Sequence, residues 1–246
     1  MRVYAIGDVH GHLGLLEAAH ARIRDDGGAG AQVVHVGDLL DRGPDSRGVV
    51  EFLMAGQAAG RDWVVVKGNH DRQLPQFLRD PRWIDPCASL REPWLARDTG
   101  AAETLASYGI PEAERRDLDT VHAEALRKVP VAHARWLDAL PGWHLTPLAL
   151  FVHAGIRPGI DLREQTEDDL TWLRRPFHDD PRDHGVLVVH GHTPVRRATH
   201  YGNRVNIDTG AAYGGALTAI RIDADGVWVL DDAGPRRLTP GATDRE

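Results

Sequence analysis

The chain has 246 residues, 42% of them apolar and 26% charged, the ordinary balance of a soluble globular protein able to bury a sizeable core. No apolar run approaches the roughly 20 residues needed to cross a bilayer, and the formal net charge of −7 argues against a general nucleic-acid binder. Cys87 is the one cysteine, which excludes an internal disulfide and a cysteine-based metal site.

Met1-Arg2-Val3-Tyr4-Ala5-Ile6 runs straight into a strand-like segment without a signal-peptide apolar region or cleavage site, so the expected compartment is the cytoplasm. Residues 2–7 predict a first strand, ending in Gly7-Asp8-Val9-His10-Gly11. Leu13, Leu16, Ala19 and Ile23 recur at helical spacing, and Asp25-Asp26-Gly27-Gly28 breaks that helix. The second strand, 32–37, carries the apolar run Val33-Val34-His35-Val36 and delivers Gly37-Asp38-Leu39-Leu40-Asp41-Arg42-Gly43. A helix follows over 45–59, with Asp45 or Ser46 as N-cap. Trp63-Val64-Val65-Val66 predicts a third strand, ending in Lys67-Gly68-Asn69-His70-Asp71. Strands alternating with helices in this way read as right-handed parallel crossover units.

The middle of the chain differs. Residues 72–142 hold Pro75, Pro81, Pro86, Pro93, Pro111, Pro130 and Pro141 between short helical pieces at 72–79, 101–108, 119–128 and 132–140. This reads as a helical insertion flanking the site, within a single domain of residues 1–233. Strand character returns at 148–152, ending in Val152-His153-Ala154-Gly155, and at Val186-Leu187-Val188-Val189, ending in His190-Gly191-His192-Thr193-Pro194. Runs at 204–208, 216–222 and 227–230 alternate with turns and predict antiparallel strands. The polar, Pro- and Gly-rich residues 234–246 are expected to form a mobile tail.

Every candidate motif falls just after an apolar strand, where ligands bind in open α/β sheets. The strand ends carry Asp8 and His10, Asp38 and Asp41, Asn69 and His70, His153, and His192. Taken singly, each has a bland reading as a turn, a surface ion pair, a helix cap or a core histidine. One metal site accounts for all of them together. Carboxylate oxygen with imidazole nitrogen suits Mn, Fe, Zn, Co or Ni better than a dedicated Ca or Mg cage. Asp8 and His10 can clamp one ion on a turn, and Asp38 can bridge two ions with its two oxygens. Paired ions stabilise both the attacking and the leaving oxygen of a phosphoryl displacement, and lower the pKa of water held between them. Arg42 beside the carboxylates offers an anion site. His20, His122, His133, His178, His184 and His200 read as structural or solvent-facing, as do His12, His35 and His190.

Together the motifs GDVHG (7–11), GDLLDRG (37–43), GNHD (68–71), VHAG (152–155) and GHTP (191–194) resemble the calcineurin-like metallophosphoesterase superfamily. Within it they are most similar to the phosphoprotein phosphatase branch, through the DRG ending of the second motif. DLTWLRR (169–175) is similar to a segment that supplies a second phosphate-binding arginine in small bacterial and phage enzymes of that branch, and NIDTGAAYGGALTAI (206–220) looks like their C-terminal strand pair. The match extends to the related symmetrical diadenosine tetraphosphatases. The resemblance implies an α/β fold: a central β-sandwich of mixed sheets flanked by helices. It also implies Asp8, His10 and Asp38 on a first metal, and Asp38, Asn69, His153 and His192 on a second, with Mn the expected metal. His70 would be the general acid, oriented by Asp41, and Arg42 and Arg174 would hold the phosphoryl oxygens. The nucleophile would be a metal-bridging hydroxide. Asp71 stands where Glu is more usual, with a modest effect expected, and GHTP lacks the second histidine of the GHxH form. Asp208 and Tyr213 are supporting residues.

The expected activity is hydrolysis of a phosphate ester, with phosphoserine or phosphothreonine of a protein as first substrate reading. The alternative is symmetrical cleavage of a bis(5'-nucleosyl) tetraphosphate by the same chemistry. A phosphorylated protein or nucleotide is therefore the expected partner, with no membrane and no stable nucleic-acid partner. A catalytically dead scaffold is disfavoured, because no metal or arginine position has been lost.

Overall fold

The computed structural model describes residues 1–96 and 99–241. It places β1 (Val3–Ile6), β2 (Gln32–His35) and β3 (Trp63–Val65) side by side and parallel. The returning helices are α1 (Leu13–Ile23) and α2 (Ser46–Ala58). Asp45 caps α2 by accepting the Gly48 N–H at 2.8 Å, while α1 runs into one π-helical turn that Gly27, at φ 84°, brings to an end. The strands read as unbroken apolar runs because both faces are buried. In β1, Val3 and Ala5 face one core and Tyr4 and Ile6 the other, the period of two that a pleated strand imposes.

The helical segment consists chiefly of α3 (Gln73–Arg79), α4 (Ala101–Ser107), α5 (Leu118–Lys128) and α6 (Val131–Asp138). Leu74, Phe77, Trp94, Leu105, Val121 and Leu137 from it join Tyr4, Ile6, Leu16 and Val49 in one core. The segment thus covers the same face of the sheet as α1 and α2.

A second sheet follows, in the order β4-β5-β6-β8-β7. It comprises β4 (Trp143–Leu145), β5 (Leu150–Val152), β6 (Val188–His190), β7 (Thr199–His200) and β8 (Arg204–Asn206). The chain then returns to the first sheet with β9 (Ala219–Asp223), β10 (Gly226–Asp231) and β11 (Gly234–Leu238), giving the order β11-β10-β9-β1-β2-β3. Between β5 and β6, α7 (Glu167–Trp172) begins at a capping box in which Thr166 and Asp169 satisfy each other's backbone N–H groups. Leu170 of this helix packs with Leu150, Val152, Phe177 and Val188 on the outer face of the second sheet. Between the sheets, Val3, Ala5, Val34, Val36 and Val66 meet Phe151, Val189, Val205 and Ile207. The architecture is the expected sandwich of two mixed sheets flanked by helices.

Two expectations need correction. Residues 234–238 are not tail: they form β11, paired with β10 from Asp231 opposite Gly234 to Val227 opposite Leu238. Proline and two arginines are tolerated there because β11 is an edge strand. Residues 242–246 of the expected tail lie outside the described residues. The run at 204–208 does not join an antiparallel set with its successors. Instead β8 lies parallel to β6 in the other sheet, and antiparallel only to the two-residue β7. Strands β4 and β7 were not foreseen.

Candidate active site

Face-to-face packing of the sheets brings the carboxyl ends of β1, β2 and β3 against those of β5 and β6. The chain just beyond these ends holds Asp8, His10, Asp38, Asn69, His70, His153 and His192, all of them buried. His153 Nε2 lies 3.0 Å from Asn69 Oδ1, 3.2 Å from His192 Nδ1 and 3.3 Å from Asp38 Oδ1. His10 Nε2 lies 3.5 Å from the other Asp38 oxygen. The backbone is held in costly conformations to achieve this. Among the described residues the non-glycine positions with positive φ are His10, Asp38, Asp41, Arg42, Glu112 and His192, and all but Glu112 belong to this site. Such conformations cost of order 1–3 kcal/mol each and persist where the surroundings over-determine them. Gly191 is required beside them, since a Cβ there would overlap Asp8 Oδ1.

Two clusters can each hold a metal ion: His10, Asp38 and His70, and Asp38, His153 and His192. Asp38 is common to both. Asp8, expected on the first metal, stands outside both clusters. Its Oδ2 accepts the His192 N–H at 3.0 Å, while its Oδ1 is buried without a hydrogen-bond partner. His192 Nε2 is likewise buried and unpartnered.

The residues fit a cation. The Leu40 and Val36 carbonyls can only accept, so His10 and His153 donate Nδ1–H to them at 2.8 Å each. That leaves Nε2 of each ring aimed at the site, the nitrogen that would offer its lone pair to a cation, as in metal-ligating histidines whose Nδ1–H is held by the protein; at His153 the cation would first have to displace a proton. The charges agree. Burial pushes the Asp8 carboxyl well above its usual range, and the nearby Asp208 carboxylate adds to the shift. Burial likewise drives His10 and His192 well below the usual histidine value. Burial opposes a charge on His153 too, but the Asp38 and Asp8 carboxylates outweigh it and push this imidazole up to about 10. Buried carboxylates here draw positive charge wherever they can find it.

Asp41 sits further back, fully buried. His70 donates Nδ1–H to its Oδ2 at 2.6 Å, and Trp94 donates Nε1–H to the same oxygen at 3.0 Å. The Thr104 hydroxyl donates to Oδ1 at 2.8 Å. Gly100, at φ 94°, packs so closely on the Arg42 backbone N that a Cβ there would overlap it. The helical segment, silent in the sequence, therefore braces the Asp41–Arg42 turn. Asp71 ties two strand ends together, accepting the Leu39 N–H and the Gly68 N–H at 2.8 Å each. Burial and the neighbouring Asp38 push its carboxyl up to about 6.

Arg42 donates from Nη1 to His10 Nε2 at 2.7 Å and from Nη2 to His70 Nε2 at 3.2 Å. Its guanidinium also lies 5.1 Å from the centre of the Tyr213 ring. Arg174 lines the same cleft, of about 220 Å³, as Asp38, Arg42, Asn69, His70 and His192. Burial lowers its pKa from the ordinary arginine value, against the opposing pull of Asp38. Thr104 and Trp94 are the site residues that sequence reasoning missed, because nothing local marks a threonine or tryptophan as the partner of an acid more than fifty positions away.

Comparison with known proteins agrees with this geometry. Residues 1–221 match the family model described as calcineurin-like phosphoesterase. A bis(5'-nucleosyl)-tetraphosphatase PrpE [asymmetrical] from Halalkalibacterium halodurans is 30% identical over 243 residues, covering 90% of each chain. A symmetrical bis(5'-nucleosyl)-tetraphosphatase from Nitrosococcus oceani is 28% identical, covering 92% of this chain and 94% of that one. A crystal structure provisionally assigned as a diadenosine tetraphosphatase shares the fold with TM-score 0.65 at 22% identity, over 95% of this chain and 93% of its own. With its carboxylates and imidazoles gathered at the strand ends, and with a family model that spans most of its length, the chain belongs to the calcineurin-like phosphoesterases and is a metallophosphoesterase.

Proposed function

We propose that the protein hydrolyses a dinucleoside polyphosphate at a site holding two divalent cations. The observation that carries the phosphohydrolase chemistry is Asp38, whose two oxygens face His10 on one side and His153 on the other. Asp8, His10 and Asp38 would hold one cation, and Asp38, Asn69, His153 and His192 the other, with Mn as the leading candidate for this mixed oxygen and nitrogen set. When bound, the cations lower the pKa of water and neutralise charge on the phosphoryl oxygens. Arg42 and Arg174 orient the phosphoryl group, and Arg42 must exchange part of its contact with His10 and His70 for phosphate oxygens. The carboxylate of Asp41 holds the Nδ1 proton of His70 and would stabilise the imidazolium that forms when Nε2, released from Arg42, takes up a proton; that Nε2 proton would then pass to the departing oxygen.

The relatives favour the dinucleoside polyphosphate over the phosphoserine or phosphothreonine that motif resemblance put first. The test compares diadenosine tetraphosphate with a phosphoserine peptide under the same Mn concentration, with chromatography of the products. Faster turnover of the tetraphosphate is expected, and ADP alone distinguishes symmetrical cleavage from the ATP and AMP of asymmetrical cleavage. His70→Asn should lower kcat by about 10²–10⁴, the range for removing a general acid. Preference for the phosphopeptide would restore the protein phosphatase reading.

A further inference from the structure

We propose that Tyr213 is the platform on which a nucleobase of the substrate stacks. This rests on the dinucleoside polyphosphate reading above and names a residue that would confer it. A single exposed aromatic is ordinary on a protein surface, but this one differs in place and in support. Tyr213 lines the cleft that contains Asp38, His70, Arg42 and Arg174, and 67% of its surface is in solvent. The Arg42 guanidinium lies over the ring, 5.1 Å from its centre, and with this much exposure the ring keeps free area for a second planar group. A base seated there would be next to the arginine proposed to hold its phosphates.

The ring is carried by a rigid turn. Gly210 and Gly214 bracket residues 211–213 at φ 73° and 83°. Gly210 O accepts the N–H groups of Tyr213 at 2.8 Å and Gly215 at 2.9 Å. Asp208 accepts the Gly210 N–H at 3.0 Å, and the Thr209 hydroxyl bonds Ala216 O at 2.6 Å. An aromatic side chain on a preordered backbone can take up a ligand with little ordering cost. Trp172, which also lines the cleft, stands edge-on to His192 with ring centroids 5.8 Å apart, and is less free to stack. Leu90, 57% exposed, adds apolar surface to the same cleft. Stacking of this kind accepts any base, because every base has a π-face.

The experiment measures KM for diadenosine tetraphosphate, and Ki for inorganic tripolyphosphate as a competitor, in the wild type, Tyr213→Ala and Tyr213→Phe with Mn in excess. The expected result is that KM rises about tenfold in Tyr213→Ala, the order of effect of losing one base–aromatic stack. Ki for the base-free competitor should move much less, and Tyr213→Phe should behave like the wild type. A parallel rise in both constants would mean that Tyr213 acts only through Arg42, and an unchanged KM would mean that no base touches it. Either result overturns the proposal while leaving the tetraphosphatase reading intact. A wild type with no activity on diadenosine tetraphosphate would overturn both.

Discussion

At the scale of single residues, the site is a contest for positive charge. His153 keeps its proton against burial because Asp38 and Asp8 face it, which pushes its imidazole up to about 10. A cation held by Asp38 and His153 must displace that proton. Metal binding near pH 7.5 should therefore release about one proton from this histidine, and affinity should rise with pH throughout the range below 10. Titration calorimetry in two buffers of different ionisation enthalpy measures the release directly. No buffer dependence would show that His153 is not a ligand. Arg42 is the second competitor, because its Nη1 already donates to the His10 lone pair.

At the scale of elements, the helical segment proves to be part of the machinery. Thr104 of α4 accepts the Asp41 N–H at 2.9 Å and donates to its carboxylate at 2.8 Å. Thr104→Val keeps the volume and removes both bonds. The Asp41 N–H keeps Ser46 Oγ as acceptor at 3.1 Å, but losing the donor to a buried carboxylate oxygen costs about 1–3 kcal/mol, so urea unfolding should shift to lower concentration. The kcat should fall with KM little changed, since His70 loses its fixed orientation while phosphate contacts remain. A variant destabilised but fully active would show that Asp41 needs no brace. Such contacts were illegible in the sequence because they join residues 63 positions apart. The residues proposed to hold metal were legible as candidates for the opposite reason. Each lies in a short run of glycine with histidine or acid at the end of an apolar strand, where burial on both faces makes the strand itself easy to read. Strands β4 and β7 escaped because they have three and two residues, too few to show a period. Strand β11 escaped because an edge position admits Pro235, Arg236 and Arg237, which suggest a tail in any sequence-based reading.

At the scale of the whole molecule, the core carries its own dependence on pH. His20 and His35 meet Nε2 to Nε2 at 3.0 Å on the helix-covered face of the first sheet, against Trp63. Burial lowers His20 to about 3 and His35 to about 4, with the paired rings adding to the effect at His20. In the unfolded chain both titrate near 6.5. Between roughly pH 6.5 and 4 the unfolded state binds protons that the folded state refuses, so stability falls as pH falls and is complete above that window. The slope is about 1.4 kcal/mol per pH unit for each histidine. Denaturant unfolding at several pH values should show a flatter dependence in His20→Leu/His35→Leu than in the wild type, and an unaltered slope would contradict the assignment. Within the described residues no helix is long and apolar enough to cross a membrane.

The central claim is that one site at the shared rim of the two sheets cleaves phosphate bonds with two cations. It is tested most directly by stripping the protein with a chelator and titrating Mn back while following hydrolysis of diadenosine tetraphosphate. Activity should be absent in the stripped protein and should saturate at two Mn per chain. Full hydrolysis in the presence of chelator, or saturation at one Mn, would contradict the account.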